Sequence, residues 1–306
     1  MRVQSALKSD RLCKSLTGLT ALEFTQLVES FRKNLLEIRI KARSDRIRAL
    51  GGGRSGQLPQ VEDKLFFILM YLKCYPTYDV LGWIVDFHRT RACQQVLFLL
   101  PVLEQTLGRQ LVLPLRKISS PEEFIRLFPE IKEVFGDATE RQIQRPKSQK
   151  RQRKLYSGKK KLHTRKNVIM ADEKKRILVL TKTKSGRRHD KRLADKENLF
   201  QNLPVEVTAW VDTGFEGIQY YHPNTMIPVK KPRKSKHNPN PPPLTQKQKE
   251  SNRLISSFRV VVEHAISGIK RYNCLQQPFR NKVRQLDDTF MLVSAGLWNY
   301  HIRFSS

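Results

Sequence analysis

Apolar positions recurring at helical intervals dominate the first third of the chain. Leu22, Phe24, Leu27, Val28 and Phe31 read as one core-facing helix stripe, the last four recurring at three- and four-residue intervals. Residues 51–56, Gly-Gly-Gly-Arg-Ser-Gly, read as a flexible basic joint. A second helical run is predicted from Gln60 to about Tyr71. Pro76 breaks it, and Thr77 suits the N-cap of a short helix over Tyr78–Asp86. A third helical segment runs from about Thr90 to Leu100.

Beyond Pro114 the pattern shortens. Pro121 and two glutamates open a short helix ending near Phe128, and β-type runs are predicted at Ile131–Asp137, His163–Ala171, Arg176–Thr183 and Val205–Val211. A helix is expected over Asp190–Leu203, a short strand over Met226–Val229 and a long helix over Leu244–Tyr272. Strands interleaved with helices make a mixed α/β domain. The expected division is an all-α region over 1–110 and an α/β domain over 111–306. Two basic stretches, 141–166 and 230–240, are expected to be loops, the latter running into Pro241-Pro242-Pro243.

Composition narrows the partners. The 306 residues carry 58 Lys+Arg against 28 Asp+Glu, a net charge of +30. Such a surface calls for a polyanion, and nucleic acid is the first expectation because each neutralised phosphate releases a counterion. A ribosomal or membrane-surface protein is the plainer alternative. The longest apolar stretches, about eight residues at Leu65–Leu72 and Val96–Leu103, fall short of the ~18 a membrane helix needs, so no membrane association is expected. The first twenty residues lack an apolar core of signal-peptide length, so export is not expected, and four scattered cysteines without a C-x-x-C pair fit a reducing cytoplasm.

Within the first region, helix, break, helix, break, helix is the outline of a helix-turn-helix. Its last helix opens with Arg89, Arg91, Gln94 and Gln95, side chains suited to guanine and adenine edges in the major groove. An ordinary three-helix bundle with a polar surface shares this outline. Where acids are scarce, those after apolar strands stand out. Asp137 ends the first predicted strand, and Asp212 follows the alternating run 205–211 directly. On the long helix, Glu263 has Arg259 one turn before it and Lys270 two turns after, with Asn252 and Ser256 continuing the stripe. Val260, Val261 and Ile266 are expected to face the sheet. Two strand-end aspartates and a helical glutamate can cage two divalent ions, and all-oxygen ligation suits Mg²⁺ or Mn²⁺. Taken singly, a strand-end Asp is most often a turn or cap residue, and a helical Glu between Arg and Lys is usually an ion-paired surface residue.

At these residues the chain resembles the DDE-type bacterial insertion-sequence transposases of the insertion-sequence-five-like group related to Harbinger elements. The matching stretches are Gly136–Pro146, Tyr156–Thr164, His189-Asp190-Lys191, Asp212–Gly217 and Asn252–Lys270, the last with Arg259, Glu263 and Lys270 in the spacing R-x3-E-x6-K. Ser256 stands where the signature often has Tyr. The resemblance is strong over about 130–300 and weaker over 60–105.

It implies a ribonuclease H-like catalytic fold, with Asp137, Asp212 and Glu263 as catalytic and metal-binding triad and Mg²⁺ as cofactor. It further implies cleavage at element ends and joining of the 3′-hydroxyl ends to target DNA. Arg259 and Lys270 would grip phosphates, and Lys159, Lys160, Lys161 and Thr164 would line the DNA path, with Asn252 on the same face as Arg259. The partners expected are double-stranded DNA, as terminal inverted repeats and target, and a second copy of the chain, in a bacterial cytoplasm at the nucleoid. Asp190 is expected to cap its helix, with support of the metal-holding acids as its alternative role, Asp172 to be solvated, Glu140 to pair with Arg141 or Arg145, His163 and His264 to pack or hydrogen-bond, and Trp210 to be core. The competing readings are a sequence-specific DNA-binding relative without catalysis and a basic protein that binds RNA non-specifically.

Overall fold

The computed structural model describes residues 3–41, 56–232, 234 and 238–304, so residues 51–55 of the glycine-rich joint and part of the second basic stretch lie outside the described residues. The chain forms two compact units, Met1–Leu113 together with Ile269–Ser306, and Pro114–Gly268. The last segment, assigned by pattern to the α/β domain, thus belongs to the helical unit.

The helical unit begins with α1 (Val3–Leu7), α2 (Asp10–Thr17) and α3 (Ala21–Lys41). On α3, Phe24, Leu27, Val28, Phe31 and Leu35 are buried, whereas Leu22 is exposed because it sits about 200° around the helix from Phe24. Next come α4 (Val61–Cys74), α5 (Tyr78–Val85) and α6 (Arg89–Arg109). Thr77 caps α5 by accepting from the Val80 N–H, and His88 caps α6. Every residue of α4 from Lys64 to Leu72 is buried, so this helix needs neighbours on all sides.

The C-terminal segment supplies part of that cover. Phe290 packs edge-on against Tyr71 and Tyr75, while Asn281 donates to both tyrosine hydroxyls. That apolar demand explains why residues 269–306 join the helical unit. On α6, Ala92, Val96, Leu99 and Leu103 are buried, leaving the opposite face of its first turns to solvent.

In the second unit, α7 (Pro121–Leu127) precedes β1 (Glu133–Gln142), α8 (Gln149–Leu155), β2 (Tyr156–Ser157), β3 (Leu162–Ala171), β4 (Ile177–Leu180) and β5 (Lys184–Ser185). They are followed by α9 (Asp190–Lys196), β6 (Thr208–Trp210), β7 (Thr225–Met226) and α10 (Gln246–Lys270); α11 (Asn273–Gln276) and α12 (Leu286–Ile302) complete the helical unit. The sheet is mixed, as its pattern predicts. β1 pairs antiparallel with β3 and parallel with β6, β3 also pairs antiparallel with β4, and β6 pairs parallel with β7.

Several expected bounds shift. β1 runs five residues past Asp137 because antiparallel pairing with β3 continues to Gln142. The supposed basic loop at 141–166 holds the end of β1, helix α8 and a hairpin, with its charges divided between these elements and the turns that join them. The helix expected to reach Leu203 stops at Lys196, and 205–211 pairs only over Thr208–Trp210.

The two faces of β1 differ. Val134 and Ala138 turn to a core that includes Val168, Met170, Leu193, Phe200, Val211 and Phe215. Phe200, fully buried, packs edge-on against Phe215 at 5.8 Å, and a β-carbon at Gly136 would lie only 3.1 Å from its ring. This ring therefore supports both the strand that carries Asp137 and the turn that follows Asp212. Phe200→Ala should cost about 3–5 kcal/mol, read as a lower denaturant midpoint with little change in slope.

Candidate active site

Register places the first two acids. β1 and β6 pair in parallel with Phe135 opposite Trp210. The same offset carried two residues further sets Asp137 beside Asp212, just where β6 ends and β1 continues. Each acid follows an aromatic and a small or branched residue, Phe135-Gly136-Asp137 and Trp210-Val211-Asp212. The aromatics turn to the face opposite the Phe200 core and stack: Phe135 on Trp210 at 6.4 Å, and Trp210 on Phe258 of α10 at 4.4 Å. The indole is buried, as expected. This stack fixes α10 against the acid-bearing strands, and Phe258 is the residue before Arg259.

Arg259 consequently reaches the acids. Its guanidinium lies 3.9 Å from Asp137 Oδ2, and its Nε–H is buried without a hydrogen-bond acceptor. Asp137 Oδ1 accepts from the Ala138 N–H at 2.7 Å, and Asp212 Oδ1 accepts from the Gly214 N–H at 2.8 Å, capping a single 3₁₀ turn. Burial pushes the Asp137 carboxyl up to about 6; the Ala138 N–H and Arg259 oppose the rise, while Asp212 and Asp190 add to it.

Glu263 lies one turn beyond Arg259 on α10 and is exposed. Among the described residues, no three His, Cys, Asp or Glu side chains converge closely enough to hold one ion. The donor chemistry nevertheless fits a hard divalent cation, since the acids offer only oxygen. A small cradle exists beside them: a β-carbon at Gly214 would fall 2.8 Å from Asp212 Oδ1 and 3.2 Å from Asp190 Oδ2, so only glycine leaves that space open.

A family model described as DDE superfamily endonuclease matches residues 136–299, more than half of the chain. The chain belongs to that family. A second model, the helix-turn-helix of DDE superfamily endonuclease, matches residues 56–109, the span that holds α4, α5 and α6. The chain is 29% identical over 286 residues to a Microchaete diplosiphon protein named "Probable transposase for insertion sequence element IS702", covering 93% of this chain and 96% of that one. No solved structure matches. Membership makes the chain a DNA-cleaving transposase enzyme of the DDE endonuclease type, with a helix-turn-helix and use of divalent metal. Among the described residues no helix is long and apolar enough to cross a membrane.

The other residues singled out in the sequence of this DDE endonuclease fall out variously. Arg89, Arg91 and Gln94 are exposed along the start of α6, and Gln95 is half-buried. Lys159, Lys160 and Lys161 are exposed in the turn joining β2 to β3. Lys270 ends α10 and falls in the helical unit. Thr164 cannot line an open DNA path: it is buried, with its hydroxyl donating to Glu140 Oε2 at 2.6 Å. Asn252 uses its amide on the backbone of Val229, accepting from its N–H at 2.7 Å and donating to its carbonyl at 2.9 Å. The buried stripe of α10 is Ile255, Val262, Ala265 and Ile269, whereas Val260 is exposed and Val261 and Ile266 are half-buried.

Further corrections concern the remaining acids. Glu140, expected to pair with Arg141 or Arg145, is paired with Lys166, directly opposite it across the β1–β3 ladder. Asp190 does not cap α9, for the cap position is His189; its carboxylate pairs with Lys166. Asp172 is buried and accepts from the Arg176 backbone and guanidinium. His163 packs edge-on against Tyr156. His264 is exposed. Lys166, Gly214 and Phe258 went unnoticed in the sequence, although the repeated aromatic-x-Asp pattern was a usable signal for the stack.

A raised acid carries a definite pH signature. Protonation of Asp137 is favoured in the folded state, so the contribution to stability is full below about 3.8 and is lost as pH rises through about 6. In metal-free protein, Asp137→Asn should therefore stabilise at pH 7.5, by on the order of 2–3 kcal/mol, and the difference should shrink toward pH 4. Thermal melts in EDTA across this range provide the measurement.

Proposed function

We propose that this protein binds the ends of a mobile DNA element, cleaves there and joins the freed 3′-hydroxyl ends to target DNA. The observation that carries the proposal is the juxtaposition of Asp137 and Asp212, with the Arg259 guanidinium beside Asp137 and Glu263 one turn further along α10. Asp137, Asp212 and Glu263 are the catalytic and metal-holding acids in this reading. Mg²⁺ held by them, with Mn²⁺ able to replace it, would supply activation of the attacking oxygen and stabilisation of the leaving one in phosphoryl transfer.

The chain's own residues do the remaining work. Arg259 holds a non-bridging phosphate oxygen through the N–H groups it does not spend on Asp137. The exposed Lys159–Lys161 turn meets backbone phosphates, and Lys270 adds a cation further along the helix. No protein nucleophile is required, since water attacks at cleavage and the 3′-hydroxyl at joining. On the helical unit, Arg89, Arg91 and Gln94 lie free on α6 to read base edges or phosphates, with Gln95 at their margin. Two copies of the chain, one at each end of the element, would give paired ends one active site each. The natural setting is the bacterial nucleoid, where end sequences and target DNA are both at hand.

Asp137→Asn, Asp212→Asn and Glu263→Gln should each lower end cleavage on the order of 10³-fold, the loss of several kcal/mol of transition-state stabilisation, while gel shifts with terminal repeats stay near wild type. Full cleavage by any one variant removes that residue from the triad. Specific binding without cleavage in wild type plus Mg²⁺ would instead leave a non-catalytic DNA-binding protein.

Substitution on α6 has the opposite profile. Arg89→Ala or Gln94→Ala should weaken end binding by about 1–3 kcal/mol if the side chain reads a base, with relaxed sequence preference; a pure phosphate contact should weaken all DNA alike and flatten the salt dependence. Fluorescence anisotropy with specific and scrambled duplexes at several salt concentrations distinguishes the two.

A further inference from the structure

The Lys166 ammonium is buried and fully engaged. Its side chain is 6% exposed, and its three N–H donors meet Asp190 Oδ1 at 2.7 Å, the Arg188 carbonyl at 2.8 Å and Glu140 Oε1 at 3.1 Å. Glu140 is itself held on its other oxygen by Thr164. Position 186 is glycine for the same reason, since a β-carbon there would collide with the Thr164 hydroxyl. A rigid chain thus runs from β1 through β3 to the first residue of α9.

The chain stops at one oxygen of Asp190. Oδ1 is tied to Lys166, while Oδ2 faces the Gly214 cradle that Asp212 Oδ1 borders from the other side. Within this cluster Asp137, Asp190, Asp212 and Glu140 are four carboxylates, and the structure pairs them with two cations, Lys166 and Arg259. In the ion pairs shown among the described residues the carboxylates outnumber the cations, a local inversion of sign inside a chain of net charge +30. One divalent cation would balance it. If Lys166 served only to hold the sheet, it would have no need of an acid whose second oxygen is turned into that cradle.

We propose that Asp190 is a fourth carboxylate of the active site and that Lys166 is a positioning residue, acting through Asp190 to set the affinity of the site for a divalent cation. The proposal rests on the function given above and deepens it. Fixing one oxygen of a carboxylate by a buried cation leaves the other in a set direction, the way outer partners orient metal-site acids. Glu140 anchors Lys166 from behind.

The test is Mn²⁺ binding by the full-length, DNA-free protein, followed by electron paramagnetic resonance titration. Asp190→Asn and Lys166→Met should each weaken Mn²⁺ binding by about 10-fold or more. The double variant should be no weaker than Asp190→Asn alone, because Lys166 acts only through that carboxylate. Equal Mn²⁺ affinity in wild type and Asp190→Asn, with binding lost in Asp137→Asn, would overturn the inference and leave the triad reading standing. Unchanged binding in Asp137→Asn as well would overturn both. Additive losses in the double variant would overturn the positioning role of Lys166. Should Lys166→Met fail to fold, Asp190→Asn still decides whether the fourth carboxylate belongs to the site, since Lys166 retains Glu140, and Lys166→Arg, which keeps the charge, decides the positioning role by whether it retains wild-type affinity.

Discussion

The parallel pairing of β1 with β6 is the constraint from which the site follows. Once Phe135 lies opposite Trp210, two like-charged carboxylates are forced to neighbouring positions at the end of the shorter strand. Parallel strands are buried on both faces, so the acids emerge only where one strand stops. The same pairing aligns two aromatic rings, and their stack with Phe258 brings α10 down on that edge. One backbone register thus sets two acids, one arginine and the helix that carries the third acid.

Such a placement is unfavourable in itself. Burial and neighbouring negative charge both penalise ionised Asp137, which accounts for its raised carboxyl. The fold tolerates the strain because Arg259 sits beside Asp137 and Lys166 pairs with the neighbouring Asp190. Sites arranged around a polyanion and a divalent cation commonly keep such residual negative charge, since the cation supplies the missing compensation. The surrounding excess of Lys and Arg, by contrast, lies largely on exposed helices and turns, where it can meet phosphates without entering the acid cluster.

Much of the helical unit was legible. α4, α5 and α6 announce themselves by apolar runs, a proline break and a threonine cap, all short-range signals. In the second unit, β3 and α10 were visible for the same reason, and Asp137 and Asp212 stood out as acids following apolar runs. Residues whose roles depend on a distant partner were misread. Thr164, Glu140 and Asp190 each looked like surface or cap residues, yet all belong to the Lys166 network, whose members come from three separate elements. The partner of the Asn252 amide, the backbone of Val229, was likewise out of reach of local pattern.

The amino-acid order alone determined the class of partner, the helical and strand-forming segments, and which acids could serve a cation, because charge, periodicity and capping act within a few residues. Tertiary structure decided which of those acids stand together, which cations neutralise them, and that residues 269–306 close the helical unit instead of the sheet domain. Those outcomes depend on strand register and on the apolar demand of α4, quantities set by contacts between residues far apart in the chain, and no local pattern carries them.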